Sequence, residues 1–190
     1  ESVTRASEEF SPRGRVLELA CGTGLFTQHL VRHADSITAV DASAEAIDLN
    51  RRRCGESRIR YVQDDLFEWT PDGPYDAVLF SFWLSHVPPG RFAEFWQKVR
   101  AILIAGVRVL IIDSLYNPES TARDHRLHSR ETVTSVRRLN DGREFEIYKV
   151  FYEPENLRAR LDDMGWRATV DTTGEFFLYG IAENPAPGVP

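Results

Sequence analysis

Two cysteines, Cys21 and Cys54, are all the chain carries. They are too few for a disulfide framework or a cysteine-built zinc site, and they make a reducing cytoplasm the expected setting. No apolar run approaches the ~20 residues that cross a bilayer, so no membrane partner is expected. Basic residues are outnumbered as well. The 23 Lys and Arg against 29 Asp and Glu give a net charge of −6, which argues against broad electrostatic capture of nucleic acid. Internal repeats are absent. His29 and His33 have helical i, i+4 spacing but no third ligand, so no metal site is expected. The numbering starts without an initiator Met, and the first strand-like run follows Pro12 closely. That points to a further segment ahead of residue 1.

With 42% hydrophobic and 27% charged residues among 190, the chain can bury one sizeable core. One domain over residues 1–184 is expected, followed by a loose Pro-rich tail at 185–190. Strand-like runs fall at 15–20, 37–41, 59–63, 76–81 and 107–112, with helical patterns at 24–33, 43–53 and 90–103. Such alternation implies a doubly wound, mostly parallel sheet with right-handed crossovers. After Asp113 the pattern breaks. Residues 114–130 are polar and irregular, and runs at 133–139 and 143–151 flank Asn140-Asp141-Gly142, a strong hairpin signal. The 114–151 stretch thus reads as an insertion that covers the substrate. A helix at 154–164, capped by Gly165, and strands near 166–171 and 176–182 complete an α/β architecture of seven strands.

The segment Val16-Leu17-Glu18-Leu19-Ala20-Cys21-Gly22-Thr23-Gly24 carries the most information. An apolar run ends in an acid and enters a glycine-bracketed loop, after which a helical pattern begins. Glycine lets a ligand lie against the loop backbone, and the N–H groups opening the next helix face that ligand. A dinucleotide fingerprint needs a third glycine where Thr27 stands. The Glu18 carboxylate would repel a pyrophosphate, but it suits a cofactor that carries an ammonium group and a sulfonium. Asp41 lies seventeen positions after Gly24, at the end of the second strand, where an acid accepts from both hydroxyls of a ribose. Ser43 is the better helix cap.

The arrangement E-x-A-C-G-T-G resembles motif I of the class I S-adenosylmethionine-dependent methyltransferases, with Ala20 where a first glycine commonly sits. The resemblance extends over residues 15 to about 112. It implies S-adenosylmethionine as cofactor and a Rossmann-like fold, with Glu18, Ala20, Gly22, Thr23 and Gly24 in the cofactor loop and Asp41 and Ala42 beside the ribose. Asp65 and the Leu66 backbone then fall at the adenine, with Asp64 and Phe67 close by. Backbone carbonyls near Phe80 and Ser81 would accept from the methionine ammonium. The run from Tyr75 to Pro88 resembles motif IV and its extension in small-molecule methyltransferases. An N-P-P-Y-like signature for amino groups of bases is missing after strand four, where Phe80-Ser81-Phe82-Trp83 stands instead.

Methyl transfer is an in-line displacement that needs alignment and a dry site, plus a base when the nucleophile is protonated. His86 is the candidate base, since an unperturbed imidazole titrates near ~6.5. With an acceptor already ionised it becomes an orienting donor, and the reading in which His86 hydrogen-bonds loop backbone and only shapes the pocket stands beside both. A three-residue hairpin loop places Arg137 opposite Phe145 and on the same face as Lys149. No acid shares that face, so an anionic ligand is the expected partner of the two cations. The reading in which both cations reach past the apolar rim into water stands beside it.

Val136 to Arg143, Ile147 to Phe151 and Phe82 to Pro88 are together similar to bacterial phosphonate O-methyltransferases. That similarity implies Arg137 and Lys149 on the acceptor anion, His86 beside the reacting oxygen and Trp83 at the substrate. The expected activity is methyl transfer to a small, anionic metabolite, with O-methylation of a phosphonate or carboxylate favoured, by a cytoplasmic monomer or homodimer. N- or S-methylation of another small metabolite, and a non-catalytic cofactor-binding sensor, are the alternatives.

Overall fold

Apolar residues fill both faces of the central strands. In β1 (Arg15–Leu19), Leu17 and Leu19 face one way and Val16 and Glu18 the other, and all four are buried. The same alternation separates Val78 and Phe80 from Ala77 and Leu79 in β4 (Tyr75–Ser81), and Val109 and Ile111 from Leu110 and Ile112 in β5 (Leu103–Ser114). Strands buried on both faces belong in a parallel sheet covered by helices. The computed structural model, which describes residues 6, 9–117, 125–126, 134–138, 142 and 144–185, has that arrangement.

Its seven-stranded sheet runs β3 (Ile59–Gln63), β2 (Ser36–Asp41), β1, β4, β5, β10 (Phe177–Glu183) and β9 (Arg167–Thr172). The first five strands are parallel, and β10 is antiparallel to both its neighbours. Strand order reverses between β1 and β4, the point where open α/β sheets bind ligands at the carboxyl ends of their strands. Helix α1 (Thr27–Leu30) and α2 (Ala44–Cys54) contribute Leu30 and Ile47 to the core on one face, with Phe10 and Phe26. Helix α3 (Phe92–Ala101) and α4 (Pro154–Asp163) cover the other face, where the Trp96 ring meets Phe80 at 5.7 Å and Trp166 at 4.9 Å edge-on.

A separate antiparallel sheet contains β6 (His125–Arg126), β7 (Thr134–Arg138) and β8 (Glu144–Tyr148). Its register, Arg137 opposite Phe145, is the one the three-residue loop requires. Two expectations change. The helical pattern at 24–33 yields only Thr27–Leu30 as regular helix, because Gly24 is left-handed at φ 86°, Phe26 provides no side-chain cap, and i→i−3 bonds flank the turn. The strand expected over 143–151 stops at Tyr148, because the next residues bond to the turn after β4 instead of to β7. The tail at 186–190 lies outside the described residues, and no described helix is long and apolar enough to cross a membrane.

Candidate active site

The loop after β1 is tied down at both ends. Cys21 N–H donates to the Val40 carbonyl at 3.0 Å, and Gly24 N–H returns to the Cys21 carbonyl at 3.2 Å. Its two glycines serve different ends. A Cβ on Gly24 would lie 2.6 Å from Asn50 Oδ1, whereas one on Gly22 would meet nothing within 4 Å. Gly24 therefore lets the loop pack against α2, and Gly22 turns bare backbone toward open space. Ala20 adopts φ 53° without being glycine, a left-handed conformation that costs an L-residue ~1–2 kcal/mol. Ala20→Gly is expected to leave stability unchanged or raise it by up to ~1 kcal/mol, since glycine's extra chain entropy offsets part of the relief. Ala20→Val, β-branched at that φ, is expected to cost roughly 1–3 kcal/mol in denaturant unfolding.

Behind the loop stands Glu18, 1% exposed. Thr27 Oγ1 donates to its Oε2 at 2.6 Å, while its Oε1 is buried with no hydrogen-bond partner among the described residues. Thr27, the residue in the dinucleotide motif's third glycine position, in turn accepts from Asn50 Nδ2 at 2.8 Å, and Tyr61 Oη donates to Asn50 Oδ1 at 3.0 Å. Burial pushes the Glu18 carboxyl up to about 8, opposed by the Thr27 hydrogen bond and reinforced by the nearby Asp41 charge. Burial, with Glu18 and Asp41 close by, likewise pushes the Cys21 thiol up, so it stays protonated and is no nucleophile.

This makes the ligand-free protein pH-sensitive. A carboxyl raised from 4.5 to about 8 contributes stability that is fully present below 4.5 and is lost as pH rises through 8. Glu18→Gln is expected to flatten that decline, whose slope for one proton is at most ~1.4 kcal/mol per pH unit. Denaturant unfolding of both proteins from mildly acidic to mildly alkaline pH checks it.

Asp41 ends β2 facing the same loop. Its Oδ2 accepts from Gly22 N–H and its Oδ1 from Ser43 N–H, each at 2.9 Å. Ser43 caps α2 by accepting from Ala46 N–H at 3.1 Å, so the helix cap is Ser43 and not Asp41. Asp41 is one wall of a cleft of about 340 Å³ lined by Ala20, Asp41, Ala42, Asp65, Leu66, Phe67 and Trp83. Asp64 and Asp65 shape the turn after β3. Asp64 Oδ1 accepts from Asp65 N–H and Asp65 Oδ1 from Phe67 N–H, each at 2.8 Å. Lys98 holds the Leu66 and Phe67 carbonyls at 3.1 and 2.9 Å. The Phe67 ring lies against Trp83 at 5.7 Å and under the Arg91 guanidinium at 3.8 Å. Trp83, expected at the substrate, thus also walls the cleft that Asp41 and Asp65 line. The Phe80 ring is in the core, edge-on to Phe95 at 5.3 Å, and Ser81 pairs with Ile112. Thr23 is exposed on the loop.

Directly after Trp83, a short 3₁₀ turn (Leu84–His86) meets the chain leaving β8. His86 Nδ1 is 2.7 Å from the Tyr148 carbonyl, and Val150 N–H donates to the Ser85 carbonyl at 2.8 Å. A carbonyl only accepts, so Nδ1 carries the proton and Nε2 is the ring nitrogen able to take one. Lys149 is 7% exposed and donates to Ser85 Oγ at 2.8 Å. The expectation that no acid faces it is corrected. Asp113, from the end of β5 and 1% exposed, has Oδ1 3.6 Å from Lys149 Nζ. The expectation weighed only the hairpin's own residues and missed a strand from the main sheet. The main chain of Arg137 is in β7, but its side chain lies outside the described residues. Among the described residues no group of three His, Cys, Asp or Glu could hold a metal ion.

These features fit a sulfonium nucleoside. A buried carboxyl oxygen of Glu18 has no hydrogen-bond partner among the described residues, Gly22 opens to empty space, and an acid stands at the end of β2. Residues 16–106 match the family described as methyltransferase domain. The structure of DhpI in complex with SAH superimposes with a TM-score of 0.82 at 40% identity, covering 98% of this chain and 85% of that one. The chain belongs to the class I S-adenosylmethionine-dependent methyltransferases. DhpI in complex with SAM and HEP gives 41% identity, 96% and 86% coverage and the same TM-score. An uncharacterized methyltransferase of Staphylococcus carnosus is 28% identical over 80% of this chain and 70% of its own length. The chain spans less than two thirds of several other curated relatives, including the nodulation protein S of Rhizobium tropici and a ubiquinone biosynthesis O-methyltransferase of Caulobacter. The methyltransferase uses S-adenosylmethionine and acts on small molecules.

Proposed function

We propose that this methyltransferase transfers the methyl group to an oxygen of a small anionic metabolite, a phosphonate or a carboxylate, in the cytoplasm. The observation that carries the reading is the junction of His86 and Lys149, a proton-accepting imidazole nitrogen and a buried ammonium held on one short turn by the same stretch, 148–150. That DhpI binds SAM together with HEP supports a small molecule beside the cofactor. Lys149 is paired, but it shares the 148–150 stretch with the carbonyl that holds His86, and among the described residues one of its three N–H groups is spent, on Ser85 Oγ.

The cofactor supplies an electrophilic methyl on a positive sulfur. Glu18, Gly22 and Asp41 would hold it, with Asp65 and Leu66 at the adenine. The protein's task is then positional. Lys149, with Arg137 from β7, would fix the acceptor's anionic group. His86 Nε2 would take the proton of a hydroxyl acceptor or turn an ionised oxygen toward the methyl. Trp83 and Phe67 would exclude water. N- or S-methylation and cofactor sensing without turnover are the competing outcomes. Incubation with methyl-labelled S-adenosylmethionine and a panel of small phosphonates, carboxylates, amines and thiols tests the reading. Label in an ester of an acid supports it. Label only in amines or thiols, or tight cofactor binding with no transfer, overturns it.

A further inference from the structure

Asp113 is a buried carboxylate that neither the loop motif nor the hairpin accounts for. It lies on the sheet face of Val109 and Ile111, next to the last residue of β5. Its Oδ2 accepts from Ser85 N–H at 2.8 Å and its Oδ1 from Ser114 N–H at 2.7 Å. With one N–H on each oxygen, the carboxylate stays anchored to the turn that carries His86 while standing 3.6 Å from the Lys149 ammonium. That separation exceeds hydrogen-bond length, so attraction of charges, without a direct donor, links the two. Lys149 spends a hydrogen bond on Ser85 Oγ and lies over the Phe151 ring at 5.4 Å. Nothing in this arrangement requires Asp113 to leave when an anion arrives, because its own bonds are to main-chain N–H groups.

We infer that Asp113 is a specificity-determining residue of the acceptor site, where its fixed negative charge beside Lys149 removes the advantage that acceptors with two negative charges would have over those with one. The inference rests on the proposed role of Lys149 at the acceptor anion. A cationic site with no acid in it would bind a doubly charged anion more tightly than a singly charged one of equal shape. A cation with a fixed carboxylate beside it loses that preference, since each added negative charge on the ligand is repelled by Asp113 nearly as much as Lys149 attracts it. At an effective dielectric of ~20, repulsion of a ligand charge ~6–10 Å from the Asp113 carboxylate amounts to roughly a tenfold to hundredfold change in affinity.

Methanesulfonate and methylphosphonate share one tetrahedral shape, and at mildly alkaline pH they carry one and two negative charges. Their dissociation constants are measured calorimetrically with S-adenosylhomocysteine present, for the native protein, Asp113→Asn, Asp113→Glu and Lys149→Met. The native protein is expected to bind methanesulfonate at least as tightly as methylphosphonate. Asp113→Asn, which keeps an acceptor for Ser85 N–H, shifts the ratio toward methylphosphonate by roughly tenfold or more, and Asp113→Glu keeps the native preference. Lys149→Met weakens both anions. If Lys149→Met changes neither affinity, the anion site itself fails. If Lys149→Met weakens both but Asp113→Asn leaves the ratio unmoved, the role of Asp113 fails and the anion site stands. Native protein that prefers methylphosphonate by more than roughly tenfold overturns the inference even where Asp113→Asn does not fold.

Discussion

His86→Gln is expected to lower kcat by roughly 10²- to 10⁴-fold while S-adenosylmethionine affinity stays at the native level. The contact between His86 Nδ1 and the Tyr148 carbonyl at 2.7 Å fixes the neutral tautomer, and the hairpin exit thereby leaves Nε2 as the nitrogen able to take a proton. Glutamine keeps a polar side chain of similar size on the turn but has no proton-accepting nitrogen. The two roles open to His86 separate by pH. A base loses activity on the acid side as the imidazole protonates, and native protein shows an acid limb that His86→Gln lacks. A donor that only orients an ionised oxygen gives the opposite limb. Single-turnover kinetics with methyl-labelled cofactor, run beside calorimetric cofactor binding, reads both quantities. Weakened cofactor binding with unchanged single-turnover rate would remove His86 from the chemistry.

Asp41→Ala is expected to raise the S-adenosylmethionine dissociation constant by roughly 10²-fold or more, since hydrogen bonds to a charged group contribute ~1.5–3 kcal/mol each and two ribose hydroxyls are at stake. The carboxylate does two jobs. It accepts from Gly22 and Ser43 N–H at 2.9 Å each, holding the loop after β1 against the start of α2, and it lines the cleft with its outer lone pairs. Alanine removes both, whereas Asp41→Asn keeps one acceptor oxygen and is expected to fall between the two. Calorimetric titration with the cofactor checks the order. Equal affinity for native and Asp41→Ala protein would displace the ribose from this acid.

The parts of the site legible in the sequence are those carried by local pattern. The run from Glu18 to Gly24, Asp41 after β2 and Asp65 after β3 each sit where a two-residue periodicity ends in turn chemistry, and the structure brings Ala20, Asp41, Ala42, Asp65 and Leu66 to one cleft. The hairpin register was legible for the same reason, since loop length fixes pairing. Asn50 was not, because a polar residue in a helix reads as surface until α2 is seen to turn it inward against Thr27 and the loop carbonyls. Nor was the ring of Asp113, Ser85 and Lys149. It joins residues 28 and 64 apart in sequence, and a strand-end acid carries no sign of which distant cation it will face. The short α1 was misjudged because apolar spacing alone ignores the left-handed Gly24 and the missing cap ahead of Thr27.

Methyl transfer to an anion requires the acceptor to bind beside the cofactor. A structure with S-adenosylhomocysteine and methylphosphonate tests it most directly. The expected result is S-adenosylhomocysteine in the cleft of Asp41 and Asp65, one phosphonate oxygen at hydrogen-bond distance from Lys149 Nζ, and another facing His86 Nε2 and the cofactor sulfur. Cofactor in the cleft with the phosphonate bound elsewhere, and Lys149 still held by Ser85 and Asp113 alone, would contradict it.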